Sequence, residues 1–129
     1  MTPRNRARTL ILLGAGAGFA AGALAVGISD NAVGVVLAYL AAICVVVAVA
    51  HSWRSSRQFG RLMVASIIGF VAFAALHIPF ENLAGETGGL GNDLLGALGA
   101  TFFLIATVLC PAGLVVGAAG VVVSRMRSR

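Results

Sequence analysis

The chain has 129 residues, 60% of them apolar and only 10% charged, with a mean hydropathy of +1.02, against about 25% charged residues in soluble domains. That excludes an ordinary soluble fold, whose interior has no room for so much Val, Ala, Leu and Ile, and predicts one all-α integral membrane domain over residues 1–129. A net charge of +5 and a pI near 11.1 would suggest nucleic acid in a soluble chain, but here every arginine flanks an apolar stretch, so no nucleic-acid face is expected.

Arg4, Arg6 and Arg8 precede the first apolar stretch, residues 10–28. Its length matches the roughly 20 helical residues that a hydrocarbon core about 30 Å thick requires. The same stretch, with Ala23-Leu24-Ala25, is similar to a signal peptide. It exceeds the roughly 7 to 15 apolar residues of such a leader and is read as a first span. Asp30 and Asn31 make a very short turn into the second span, residues 32–50. A basic loop over residues 51–61 follows, carrying Arg54, Arg57 and Arg61, with Trp53 and Phe59 suited to the headgroup belt.

The third span, residues 62–78, is expected to stop at Pro79, and residues 80–93 to form an acidic, glycine-rich loop with Glu81, Glu86 and Asp93. The last apolar stretch, residues 94–123, exceeds one straight crossing. It predicts a tilt with a kink at Pro111, together with a first turn or two lying along the surface. Arg125, Arg127 and Arg129 close the chain.

The flanks therefore alternate basic, acidic, basic, acidic, basic. Positive loops stay on the side where they are made, so this order predicts a four-transmembrane-helix bundle, N-in/C-in, in the cell (plasma) membrane with both termini cytoplasmic. The arginines are expected to meet anionic lipid headgroups at about 1 kcal/mol each. All nine basic residues are arginine, which with the abundant Ala, Gly and Val fits a GC-rich prokaryotic genome.

Small residues recur every four positions on each span: Gly14, Gly18 and Gly22; Gly34, Ala38 and Ala42; Ala65 and Gly69; Gly113 and Gly117. In lipid, helices associate through close backbone approach, so such stripes mark packing faces. All four stripes are expected to face one interior. The alternative for the first helix is a stripe that faces a partner chain.

No span holds a charged side chain. A charge at a helix centre costs about 2.5 to 3.5 kcal/mol and persists only for a task, so a proton relay, voltage sensor or buried counter-ion is not expected. His51 and His77 fall at opposite faces, about 25 to 30 Å apart, which excludes a shared haem within one chain. His77 and Glu81 stand four residues apart, with Glu86 and Asp93 nearby, a donor set able to hold a divalent metal. Pro79 between the first two argues against helical spacing, so the segment reads as a solvated acidic loop.

Cys44 and Cys110 lie at mid-span without a C-x-x-C motif and read as small apolar residues. Tyr39, Ser66, Thr101 and Thr107 are the remaining polar groups of the spans; Ser and Thr hydroxyls bond their own helix and need no partner. No nucleophile elbow, Walker loop or zinc-protease motif is present, so no enzyme, metal or cofactor is expected. The function expected is that of a small non-enzymatic multi-pass membrane protein acting through helix–helix contacts. It would be an accessory or assembly subunit of a larger membrane protein, or a homo-oligomer. The alternative is an oligomeric channel or transporter for a neutral or hydrophobic solute.

Overall fold

The computed structural model describes residues 3–28, 31–86 and 89–127; the side chain of Arg4 lies outside that set, as do Asp30, Thr87 and Arg129. The described residues form helices and short turns, with no strand among them: α1 Pro3–Val26, α2 Ala32–Ala50, α3 Ser56–Glu86, α4 Leu90–Leu104, a π-helical turn Ile105–Leu109, and α5 Cys110–Met126. The last three run on as one rod, so four helices are long and apolar enough to cross a membrane.

The interior is made of small residues. Ala23, Ala50, Ala106 and Ala112 are at most 2% exposed, no large side chain is fully buried among the described residues, and Leu10, Ile11, Ile68 and Val71 point outward. A soluble protein would invert this pattern. Close approach of backbones, with the bulky aliphatics on the outside, is the arrangement that a hydrocarbon solvent favours.

The helices pair as two antiparallel hairpins. In the first, Gly16 meets Ala41 and Cys44 while Gly22 meets Leu37, which brings the start of α1 to the end of α2. The end of α1 lies close to the start of α2. Gly27 has φ +88°, a conformation that glycine adopts freely, and its N–H closes α1 by donating to the Ala23 carbonyl at 2.9 Å. Asn31 then caps α2, its side chain accepting from the Val33 N–H at 2.9 Å. A Cβ on Gly34 would fall on the Gly27 carbonyl oxygen, so only glycine lets the helix start this close to the turn.

The second hairpin is longer at both ends than expected. α3 begins at Ser56 because Ser55 caps it: Ser55 Oγ accepts from Arg57 N–H (3.3 Å) and Gln58 Oε1 accepts from Ser55 N–H (3.4 Å). That reciprocal pair shrinks the expected 51–61 loop to residues 51–55. At the other end α3 passes through Pro79 and continues to Glu86, while α4 starts at Leu90, so the described part of the expected loop over residues 80–93 is helical apart from Gly89. Proline removes one hydrogen bond, to the carbonyl four residues back, but every neighbouring turn keeps its own. Asp93 stands in the first turn of α4, where a negative charge suits the helix dipole.

Along this hairpin the register is regular. Gly99 lies against Phe80 and Glu81, Cys110 against Gly69, Gly113 against Ser66, Gly117 against Met63, and Gly120 against Phe59. Each step along one rod is matched, to within one residue, by a step back along the other. α3 has 31 residues, or about 46 Å of helix, whereas α2 has 19 and about 28 Å. The second hairpin therefore overhangs the first.

The two hairpins touch along a narrow seam between α2 and the rod of the π turn and α5. α1 faces the second hairpin across an apolar cavity of about 350 Å³, lined among others by Ala20, Ala38, Leu104 and Val108. The result is a bundle of two hairpins rather than four helices around one closed core.

Candidate functional site

The small-residue stripes are not equivalent. On α1 the face that meets α2 is Gly16, Gly22 and Ala23: a Cβ on Gly16 would lie 3.3 Å from Cys44 Cβ, one on Gly22 would lie 3.4 Å from Leu37 Cδ1, and Ala23 is 1% exposed. Gly14 and Gly18 have nothing within 4 Å of a built Cβ. Both are exposed, two residues either side of the buried Gly16. The expectation that the whole Gly14, Gly18, Gly22 stripe lines one interior fails for its first two members.

On α2, Gly34 and Ala42 are buried and Ala38 is half-buried at the inter-hairpin cavity. On α3, Gly69 lies against Cys110, but Ala65 is exposed and its neighbour Ser66 is the buried residue, 7% exposed. Gly113 and Gly117 are buried against Ser66 and Met63. Gly99 and Gly120, which the four-residue spacing passes over, also lie against α3. The legible signal was the alternation of three and four: residues 99, 106, 110, 113, 117 and 120 are all small and lie on one side of the rod.

A polar bond crosses the seam between the hairpins. Tyr39 Oη donates to the Thr107 carbonyl at 2.6 Å, across 68 positions of sequence. Thr107 is four residues before Pro111, so its carbonyl is the one that the missing proline N–H cannot serve. The π turn is the backbone's response at the same place: the Cys110 N–H reaches back to the Ile105 carbonyl, five residues away. The predicted irregularity at Pro111 is thus a π turn just before it, and Tyr39 supplies the donor. Thr101 and Thr107 hydroxyls bond carbonyls of their own helix, both at 2.7 Å.

At the acidic end His77 holds α3 against α4. Its Nδ1 is 3.0 Å from the Gly99 carbonyl and its Nε2 is 3.0 Å from Glu81 Oε2. The i, i+4 spacing is helical despite Pro79, contrary to expectation, because α3 does not stop there. With Nδ1–H donated to a carbonyl, the contact to the carboxylate needs a further proton between Nε2 and Glu81. The ring also packs on Phe103, centroids 5.1 Å apart, beside the Phe73, Phe80 and Phe102 cluster. No group of three His, Cys, Asp or Glu able to hold a metal occurs among the described residues.

Cys44 and Cys110 are both free and belong to different interfaces, with α1 and α3 respectively. No family model matches the chain, and no curated protein or solved structure matches it either.

The basic end gathers Arg6, Arg8, Arg54, Arg57, Arg61, Arg125 and Arg127, all exposed. Trp53 and Phe59 meet edge to face there, with centroids 5.6 Å apart. Glu81, Glu86 and Asp93 are exposed toward the opposite end.

Proposed function

We propose that the chain is a non-enzymatic, four-span protein of the cell (plasma) membrane, with both termini cytoplasmic, that works through helix–helix contacts. The carrying observation is the outward placement of Gly14 and Gly18 on α1, whose other face already meets α2. In hydrocarbon, an uncovered pair of glycines one turn apart lets another helix approach backbone to backbone. Its occupant would be a second copy of this chain or a larger membrane protein for which it is an accessory or assembly subunit. The separation of basic and acidic ends supports the orientation, since arginine-rich flanks are retained in the cytoplasm.

Gly18→Leu tests this reading. It adds a bulky side chain where nothing lies within 4 Å, so insertion and monomer stability should change by less than about 0.5 kcal/mol. Self-association or partner capture in mild detergent should be lost. A wild-type chain that is strictly monomeric and partner-free, or a Gly18→Leu chain that associates as wild type does, would refute the assignment.

A further inference from the structure

At the basic end a cavity of about 630 Å³ lies between the last turns of α2 and α5, within the roughly 300–1,000 Å³ typical of ligand sites. Its wall is apolar, with Val47 from α2 and Val116 and Ala119 from α5. Its rim is cationic: Arg54 follows α2, Arg127 follows α5, and no carboxylate side chain lines the space. His51 completes the rim. Its Nδ1 is committed to the Ala48 carbonyl at 2.9 Å, while its Nε2 is buried without a hydrogen-bond partner among the described residues.

An apolar slot that ends in two guanidinium groups is matched by a molecule with the opposite layout, an anionic head on a hydrocarbon tail. Basic pockets between membrane helices on the cytoplasmic side bind anionic lipid heads for this reason. Arginine forks also present paired donors that suit phosphate oxygens.

We propose that this cavity binds one anionic phospholipid, its phosphate at Arg54 and Arg127 and an acyl chain along Val47, Val116 and Ala119. The lipid fills the space between α2 and α5 and ties the hairpins together. This differs from general attraction of arginines to a charged surface, because the site has a fixed place, a stoichiometry of one and an apolar half. It rests on the chain's being embedded in a membrane, and not on docking through Gly14 and Gly18.

Native mass spectrometry of the full chain in non-ionic detergent, titrated with phosphatidylglycerol or phosphatidylcholine, tests it. Wild type should retain one phosphatidylglycerol in preference to phosphatidylcholine. The double variant Arg54→Gln/Arg127→Gln should bind it about thirtyfold more weakly. Ala119→Trp, which fills the apolar half and keeps every charge, should also lose retention. Arg57→Gln/Arg61→Gln removes equal charge from the same end, outside the cavity, and should stay within about twofold of wild type.

Equal losses in the two arginine pairs would overturn the proposal in favour of diffuse surface charge. An Ala119→Trp chain that binds normally would overturn the acyl-chain half. Competition by inorganic phosphate at millimolar concentration would reassign the site to a free anion. Failure of Gly18→Leu to alter association would touch none of these outcomes.

Discussion

Gly117→Leu should separate α3 from α5, whereas the same substitution at Gly18 leaves the monomer folded. A Cβ at position 117 would stand 2.6 Å from Met63 Cγ and 3.1 Å from the Phe59 carbonyl oxygen. Methionine can move aside, but a backbone carbonyl within a helix cannot without displacing the helix. Leucine would add three further carbons into a contact that already has no room. Overpacking of this kind costs about 1 to 3 kcal/mol, and the upper end applies because backbone is among the atoms struck. Titration from mild detergent into sodium dodecyl sulfate, followed by helix content or by proximity labels on α3 and α5, measures it. A Gly117→Leu chain as resistant as wild type would show that α3 and α5 do not meet as described.

Tyr39→Phe should weaken the seam between the hairpins, and Pro111→Ala should relieve that loss. Removing the Tyr39 hydroxyl takes a side-chain donor from the Thr107 carbonyl, and Pro111, four residues on, has no N–H to replace it. In a membrane interior no water replaces it, although measured hydrogen bonds between membrane helices average only about 0.6 kcal/mol and reach about 1.7. A cost of about 1 kcal/mol is therefore expected for Tyr39→Phe alone. With alanine at 111 the backbone N–H can serve Thr107 directly, so Tyr39→Phe in that background should cost about 0.3 kcal/mol or less, within the additivity limit of such cycles. Equal costs in both backgrounds would mean that the hydroxyl and the proline are not coupled through this carbonyl.

The overall character of the fold was legible from the sequence because it rests on simple quantities. Apolar length set the number of long helices, and arginine against carboxylate placement set which helix ends lie together. Helix ends were harder. The Ser55 to Gln58 capping box is visible in the sequence, yet the arginines beside it make the segment look like a loop. Pro79 looks like a terminator because in water a broken turn frays into solvent. The helix runs on past it because Phe80 and Glu81 pack against Gly99 of α4.

Which face of a helix turns inward depends on the neighbour as well as on the helix. The doubled spacing of Gly14, Gly18 and Gly22 is the most conspicuous pattern in α1, yet only its last member meets α2, and the buried small residues are Gly16 and Ala23, seven apart. On α3 the buried small residue is Ser66 rather than the adjacent Ala65. The partner of Tyr39 was out of reach for a different reason. It is a backbone carbonyl 68 positions away, freed by a proline in another helix. His77 was obscured by Pro79, which made a helical i, i+4 pair look broken.

Four crossings with the arginine-bearing ends together is the claim on which the rest depends, and thiol accessibility tests it most directly. In a background with Cys44→Ala and Cys110→Ala, single cysteines would be placed at Ser55, in the basic turn, and at Asn92, in the first turn of α4 at the acidic end. Asn92→Cys should react with a membrane-impermeant maleimide in intact cells, and Ser55→Cys only after permeabilisation. Labelling of Ser55→Cys from outside with Asn92→Cys protected would contradict the orientation, and labelling of both from one side would contradict the crossings themselves.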